Sequence, residues 1–297
     1  MSRIVQAISI LCLSSFLQSC EPQTQPKLHG QLYFASGNYV GEFDLAQGAS
    51  TITANRGAVT IRNVSDFSDG RLLLAETATV ENKEVSRISW VDLETGRANS
   101  LYSGIVARYL PGPRVLVWDD GSRLHASSRT WNSSHNAEII THNLNQLTTI
   151  LDVADDTVLF ATGGLTQRMI HTYNVVTKEL RQRPELSNTC QLVAAVWIRG
   201  RDQLACQARE TVGNDADYLL VDLQGNIGGR LDLPQGKQFA ALAYLPDQDV
   251  LILTERWYSL LGGSERFAVW AYDMRTGQSH RLVKNQYLGA SAVYSRP

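Results

Sequence analysis

The sequence predicts an all-β protein, a six-bladed β-propeller of four-stranded antiparallel blades. Beyond residue 30, short runs rich in β-branched and aromatic residues alternate with Gly, Asp and Pro, and no segment has sustained helical periodicity. Two short elements recur along this part of the chain, out of phase with each other. Such repetition is typical of propellers, in which each repeat forms one blade.

A brief apolar strand that follows a turn sets the number of blades. It occurs six times, and successive copies begin 40 to 46 residues apart. This spacing is close to the ~40–45 residues of a four-stranded propeller blade. The copies are residues 32–34, 72–74, 115–117, 158–160, 204–206 and 250–252.

The second recurring element is an Asp or Asn directly before a turn. The side chain can accept hydrogen bonds from the backbone two residues further on, and a Gly later in the turn accommodates positive φ. We interpret the element as the turn between the third and fourth strands of each blade, and not as a ring of metal ligands. The copies are Asp44, Asp92, Asp222 and Asp273, with weaker copies at Asn143 and Asn174.

The two ends of the chain are expected to close the ring. The first apolar strand, residues 32–34, has no inner strand before it, and residues 290–294 form an extra strand after the sixth blade. Pairing would complete blade 1 with the C-terminal strand and remove two exposed strand edges. Blade 4 has little room for its inner strand, so a five-bladed ring with an irregular segment is the alternative.

The first 20 residues combine a basic residue, an apolar run and a cysteine. Arg3 precedes an apolar run at residues 4–16 that is too short to span a bilayer, and the run leads into Leu-Gln-Ser-Cys at Cys20. This pattern resembles the signal of bacterial lipoproteins. The resemblance implies cleavage before Cys20 and its acylation with palmitate-type chains; an ordinary signal peptide with a chance cysteine is the alternative. The expected domains are a signal peptide (1–19), a lipidated tether (20–30) and the propeller (31–297).

The expected compartment is the cell envelope. By resemblance to Gram-negative lipoproteins, Glu21 after the cysteine implies the outer membrane, with the protein facing the periplasm. Cys190 and Cys206 flank a turn at residues 199–202, and an oxidising compartment favours a disulfide between them. Two buried, reduced cysteines are the alternative.

Two short motifs resemble those of known propellers. Residues 67–71, Phe-Ser-Asp-Gly-Arg, resemble a turn that is common in WD40-like and TolB-like propellers. Residues 92–96, Asp-Leu-Glu-Thr-Gly, are common in quinoprotein-type repeats. The resemblance covers the mature chain at the level of architecture, and a fold by itself implies no particular function.

Binding residues are expected between the second and third strands of the blades. We expect long loops there, at residues 76–86, 119–136, 209–217 and 255–266, all on one face of the ring. Two of them carry the residue types that anchor protein interfaces. The candidates are Trp131, Arg256, Trp257 and Tyr258. The alternative is that each aromatic side chain folds back over its own blade.

A non-catalytic interaction or scaffold module is the expected function. With 27 basic and 29 acidic residues, the net charge of −2 argues against nucleic-acid binding. The sequence has no HExxH, GxSxG or Walker A motif. We therefore expect a protein without a cofactor that is attached to the membrane by lipid and binds an envelope protein.

Two other functions remain as alternatives. Glu76, Glu210 and Glu255 could hold a divalent cation such as calcium at the central mouth. The resemblance there is to six-bladed lactonase-type enzymes, and it implies a lactonase or glycan hydrolase. The central depression could instead bind a small sugar or peptide, as in a sensor.

Overall fold

Six four-stranded antiparallel sheets form a ring in the part of the chain that the structure describes. This computed structural model describes residues 27–68, 70–128, 138–140, 148–163, 168–209, 217–258, 265–288 and 292–295. The innermost strands of the six sheets contact one another in succession around the ring. The protein is therefore a six-bladed β-propeller, as predicted.

The first three blades follow one strand order, from the innermost strand to the outermost. Blade 1 is β24 (Ala292–Ser295), β1 (Gln31–Ser36), β2 (Tyr39–Asp44) and β3 (Ala49–Asn55). Blade 2 is β4 (Thr60–Ser68), β5 (Arg71–Val80), β6 (Lys83–Asp92) and β7 (Ala98–Ser103). Blade 3 is β8 (Val106–Leu110), β9 (Val115–Asp119), β10 (Leu124–Ser128) and β11 (Glu138–Ile139).

The second half of the ring has the same order. Blade 4 is β12 (Thr148–Ala154), β13 (Thr157–Thr162), β14 (Met169–Asn174) and β15 (Leu180–Gln182). Blade 5 is β16 (Cys190–Ile198), β17 (Gln203–Ala208), β18 (Tyr218–Asp222) and β19 (Ile227–Arg230). Blade 6 is β20 (Gln238–Leu245), β21 (Val250–Tyr258), β22 (Glu265–Asp273) and β23 (Gln278–Lys284).

The six recurring apolar runs are the second strands of the six blades. They are apolar on both sides because each blade packs between two neighbours. Leu72 and Leu74 of β5 pack against blade 1, whereas Leu73 and Ala75 pack against blade 3. A short strand that is covered on both sides appears in sequence as a continuous apolar run.

The C-terminal strand closes the ring, as predicted. In β24, Tyr294 pairs with Leu32 and Ala292 pairs with Phe34 of β1. Beside this pair, the side chain of Gln248 donates hydrogen bonds to the Tyr294 hydroxyl (2.9 Å) and to the backbone carbonyl of His29 (2.8 Å). The junction between the last and first blades is therefore fixed by both ends of the described chain.

The predicted Asp and Asn turns connect the third and fourth strands. The Asp44 carboxylate accepts hydrogen bonds from the backbone N–H groups of Ala46 (2.8 Å) and Gln47 (2.9 Å). The same contact with backbone N–H groups recurs at Asp92, Asn174, Asp222 and Asp273. Their role in turn formation is confirmed, and the copy at Asn143 lies outside the described residues.

Blade 4 is a complete four-stranded sheet, so the five-bladed alternative is wrong. A β-bulge between Ile150 and Asp152 fits seven residues of β12 against six of β13. The shortest strand among the described residues belongs to blade 3, where β11 has two residues.

The ring has two faces, which we name by their connections. The hairpin face is where second strands end and third strands begin, as at Val80 and Lys83. The turn face is the opposite one, where third strands end in the Asp and Asn turns. Residues 28–30 lie at the turn face, since the N–H of Leu45 donates to the carbonyl of Gly30.

The prediction of long loops on the hairpin face is partly wrong. In blade 2 the strands continue to Val80 and Lys83, and only Glu81 and Asn82, both with positive φ, form the turn. In blade 3, residues 120–123 alone connect β9 to β10, so residues 129–137 follow the third strand instead of the second. Residues 209–217 do connect β17 to β18, as expected, and in blade 6 the connection is 259–264.

Cys190 of β16 and Cys206 of β17 form a disulfide, with their Cα atoms 5.8 Å apart. This confirms the predicted link between neighbouring strands of one hairpin, and the reduced alternative is wrong. A short helix, α1 (Pro184–Thr189), precedes β16. Among the residues described, no helix has the length and apolar character needed to cross a membrane.

Candidate functional site

A polar position recurs at the hairpin-face end of the second strands. It is the sixth position counted from the start of each second strand, which in blade 3 lies one residue beyond the end of β9. In four blades it carries a carboxylate or hydroxyl group that binds another side chain. Glu76 and Glu255, two of the candidate ligands in the alternative of a cation site, belong to this set. The six residues are Ser36, Glu76, Asp120, Thr162, Ala208 and Glu255.

In blade 2, Glu76 is neutralised by two arginines. Its side chain is 0% exposed, and its two oxygens lie 2.6 Å from Nε of Arg56 and 3.1 Å from Nε of Arg87. Arg56 comes from the connection between blades 1 and 2, and Arg87 from β6. Burial raises the pKa of Glu76, but hydrogen bonds and the charge of Arg56 outweigh burial and lower the pKa overall.

In blade 6, Glu255 binds one lysine and one indole. Its Oε2 accepts a hydrogen bond from Nε1 of Trp270 (2.8 Å), and its Oε1 lies 2.8 Å from Nζ of Lys237. Lys237 comes from the connection between blades 5 and 6, which corresponds to the connection that supplies Arg56 in blade 2. The Lys237 ammonium also lies 4.8 Å above the centre of the Trp270 ring.

Blades 3 and 4 bind histidines at this position. Asp120 Oδ2 lies 2.8 Å from Nε2 of His125, and Thr162 Oγ1 lies 2.9 Å from Nε2 of His171. Burial raises the pKa of Asp120, but hydrogen bonds from His125 and from the Ser122 backbone and hydroxyl lower it strongly overall. Burial lowers the pKa of His171. These groups are satisfied by nearby side chains of the same blade.

The contacts do not support the alternative of a cation site. Both oxygens of Glu76 and of Glu255 are bound by donors, and each glutamate has a basic partner whose charge opposes that of a metal ion. In the described part of the chain, no group of three or more His, Cys, Asp or Glu residues is placed to hold a metal. Glu210 lies outside the described residues.

The binding candidates of blade 6 lie on a strand and not in a loop. Arg256, Trp257 and Tyr258 are the last three residues of β21, because this hairpin continues beyond the point where a loop was expected. Trp257 is half-buried against the cluster that joins blades 5 and 6, whereas Arg256 is exposed. Successive residues of a strand point to opposite sides, so these two side chains belong to different surfaces.

Two further candidates fall outside what the structure describes. Trp131 lies between β10 and β11, where the chain is not described, and the side chain of Tyr258 is not described either. Cys20 also lies outside the described residues. The roles of these three residues remain predictions from the sequence.

Asp119 is a buried carboxyl group that sequence reasoning missed. It is the last residue of β9, it is fully buried, and its Oδ2 accepts a hydrogen bond from the N–H of Ile150 (3.3 Å) in blade 4. Burial raises its pKa to about 7, although hydrogen bonds from the backbone of Ile150 and Gly121 oppose this. The only sequence signal was an acid at the end of the apolar run Val-Leu-Val-Trp.

A cleft of about 280 Å³ lies at the turn face between blades 4 and 5. Its polar lining includes Asp155, Arg201, Asp202 and Asp222. Arg201 also forms an ion pair with Asp249 of blade 6, and Asp222 is held in its turn by hydrogen bonds from Gln224 and Asn226. Two of these four charged groups, Arg201 and Asp222, are thus already bound within the protein.

Several solved structures superpose on this chain at the level of fold, and two of them are TolB or putative TolB proteins. A chain in the nidogen–laminin complex superposes with a TM-score of 0.62 at 11% identity, covering 86% of this chain and 93% of that one. A putative TolB from Agrobacterium tumefaciens gives 0.57 at 10% identity, with coverages of 89% and 92%. TolB from Acinetobacter baumannii gives 0.56 at 12% identity, with coverages of 98% and 71%.

Identities this low show a shared fold and no more. No protein-family model matches the sequence, and no curated protein matches it either.

Proposed function

We propose that the protein is a non-catalytic interaction module of the cell envelope, anchored by lipid at Cys20, which presents the hairpin face of its propeller to a protein partner. The observation that carries this proposal is the half-buried Trp257 beside the exposed Arg266 at the hairpin-face end of blade 6. Tryptophan and arginine are the residue types that most often dominate binding energy at protein interfaces.

The position of the N-terminal segment supports this orientation. Residues 28–30 are fixed at the turn face. The carbonyl of Gly30 accepts a hydrogen bond from the N–H of Leu45, the carbonyl of His29 accepts one from the side chain of Gln248, and Leu28 is buried. The short segment from Cys20 to Lys27 can span at most about 25 Å. A lipid on Cys20 would therefore hold the turn face close to the membrane and direct the hairpin face away from it.

A TolB-like fold is consistent with a role in protein interaction in the periplasm, since two of the similar structures are TolB and putative TolB proteins. The metal-dependent hydrolase alternative gains no support from the structure, because Glu76 and Glu255 are both neutralised by basic side chains. The small-ligand sensor remains an alternative from the sequence alone.

Two measurements test the proposal. Detergent-phase partitioning of the wild type and of Cys20→Ser tests the anchor, and only the wild type should enter the detergent phase. Affinity capture from solubilised envelope then compares the wild type with Trp257→Ala, using Tyr39→Ala, an exposed aromatic on the hairpin side of blade 1, as the matched control.

We expect Trp257→Ala to lose a partner that Tyr39→Ala retains. Equal partitioning of both Cys20 forms would refute the lipid anchor. Capture that is identical for all three proteins would refute binding through this part of the hairpin face.

A further inference from the structure

One side of blade 6 gathers basic and aromatic residues. Side chains alternate between the two sides of a sheet, and cross-strand partners share a side. The side that packs toward blade 5 is marked by Trp270, which belongs to the cluster between blades 5 and 6. The cross-strand pairs on this side are Trp257 with Arg266, Ala268 with Lys284 and Trp270 with Arg281.

We call this surface the basic face of blade 6, formed by Lys237, Trp257, Arg266, Trp270, Arg281 and Lys284. Its charges are unbalanced. Arg266, Arg281 and Lys284 are exposed and have no acidic partner among the described residues. Among the described residues, one carboxylate forms an ion pair with a cation of this face: Glu255 pairs with Lys237.

The indole of Trp270 helps to hold two of these cations in place. The Lys237 ammonium lies 4.8 Å from the ring centre, and the Arg281 guanidinium lies 5.9 Å from it. The protein as a whole has a net charge of −2, so this surface has the opposite sign to the molecule that carries it.

We propose that the basic face of blade 6 binds an acidic segment of a partner protein, with Trp257 as the aromatic anchor. This inference rests on the interaction function proposed above and specifies the chemistry of the partner. Opposite charge steers association and sets specificity, while a half-buried Trp beside Arg supplies the apolar contact. Glu255 already neutralises Lys237, so the exposed arginines and Lys284 are the groups left to receive carboxylates.

The direction of this surface favours a protein over the bilayer. Trp257 and Arg266 lie at the hairpin-face end of the blade, whereas residues 28–30 leave the propeller at the turn face. An anchor at Cys20 therefore directs these two residues away from the membrane that holds the protein.

The test measures binding of a fluorescein-labelled hexaglutamate peptide to the detergent-solubilised full chain by fluorescence anisotropy. We expect saturable binding that weakens by about tenfold between roughly 50 and 200 mM salt, since exposed charges are screened over that range. The variant Arg266→Glu/Lys284→Glu should weaken binding by at least about tenfold.

The matched control is Lys83→Glu/Arg123→Glu, which reverses two exposed charges on the hairpin side of blades 2 and 3. It should change binding by less than about twofold, because its charges lie outside the basic face. Equal loss in both variants, equal binding of hexalysine, or binding only to phosphatidylglycerol vesicles or polygalacturonate would overturn the acidic-protein proposal.

Failure of this inference is distinguishable from failure of the proposed function. If the peptide does not bind while Trp257→Ala still loses its envelope partner, the partner is not acidic but the protein remains an interaction module.

Discussion

Blades 2 and 6 carry a glutamate at the same position of their second strand, but the cations around the two carboxylates differ. In blade 2, Arg56 and Arg87 both bind the fully buried carboxylate of Glu76, so two cations and one anion form an ion cluster. In blade 6, Glu255 has a single cationic partner among the described residues, Lys237. The remaining cations of that blade's basic face stay exposed.

This difference separates two uses of the same position. The cluster of blade 2 fastens a connection from blade 1 to the sheet of blade 2, which is a structural role. The equivalent contact in blade 6 fastens the connection from blade 5 and leaves a surface of one charge sign beside it. Equivalent acids in a repeat protein therefore do not imply a shared ligand.

The largest expected effect on stability concerns blade 1, which packs against both blade 2 and blade 6. Deletion of residues 288–297 removes β24 and the buried Leu288, and so leaves β1 with an unpaired inner edge. We expect loss of the cooperative unfolding transition in urea, followed by tryptophan fluorescence and circular dichroism. Deletion of residues 296–297, which lie beyond β24, is the control. A 288–297 deletion that unfolds like the full chain would show that closure by β24 is dispensable.

The next effect tests the ion cluster of blade 2. Glu76→Gln leaves two arginines, Arg56 with 14% and Arg87 with 32% of the side chain exposed, without the fully buried carboxylate that they share. Removal of one member of such a cluster should lower the free energy of unfolding by about 3 kcal/mol. Urea unfolding measures the change, and Glu84→Gln, an exposed acid of the same hairpin, should stay within about 0.5 kcal/mol of the wild type.

A smaller effect is expected for Glu255→Gln in blade 6. The glutamine oxygen can still accept the hydrogen bond from Trp270, and one cation, Lys237, loses its carboxylate partner instead of two. We expect a loss of about 1 kcal/mol in the same urea experiment. Equal losses for Glu255→Gln and Glu76→Gln would contradict the distinction between the two blades.

Most of the fold could be predicted from the sequence because its signals are local. The apolar second strands and the Asp turns repeat with the blade, and each is dictated by burial or by hydrogen bonds a few residues away. Closure by β24 was also predictable, since an unmatched strand at each end of a repeat array has one natural partner.

The loop lengths and the candidate site were less predictable. The Val-Glu-Asn-Lys sequence at residues 80–83 is polar enough to suggest a loop, yet two residues at positive φ make it a tight hairpin turn. Arg56 and Lys237 come from connections well before the glutamates that they bind, and no sequence pattern indicated these contacts. The basic face depends on strand register, which places its exposed cations on one side of blade 6.

The smallest effect is the pH dependence of the cluster in blade 2. The folded-state pKa of Glu76 lies below its usual value of 4.5, so its stabilisation is fully present above about 4.5 and is lost as the pH falls through the folded pKa. The free-energy difference between the wild type and Glu76→Gln should therefore stay constant from about pH 7 to 5 and shrink below about pH 4.5.

The test compares the free energies of unfolding of two proteins because Asp119 also makes stability depend on pH. Burial raises its pKa to about 7, so between its usual value of 3.8 and 7 the folded state binds the extra proton and stability falls as the pH rises. The slope from Asp119 is opposite in sign to that from Glu76, and it is common to the wild type and Glu76→Gln. Subtraction cancels it, and a difference that does not shrink at low pH would mean that the carboxylate of Glu76 is not held by its arginines.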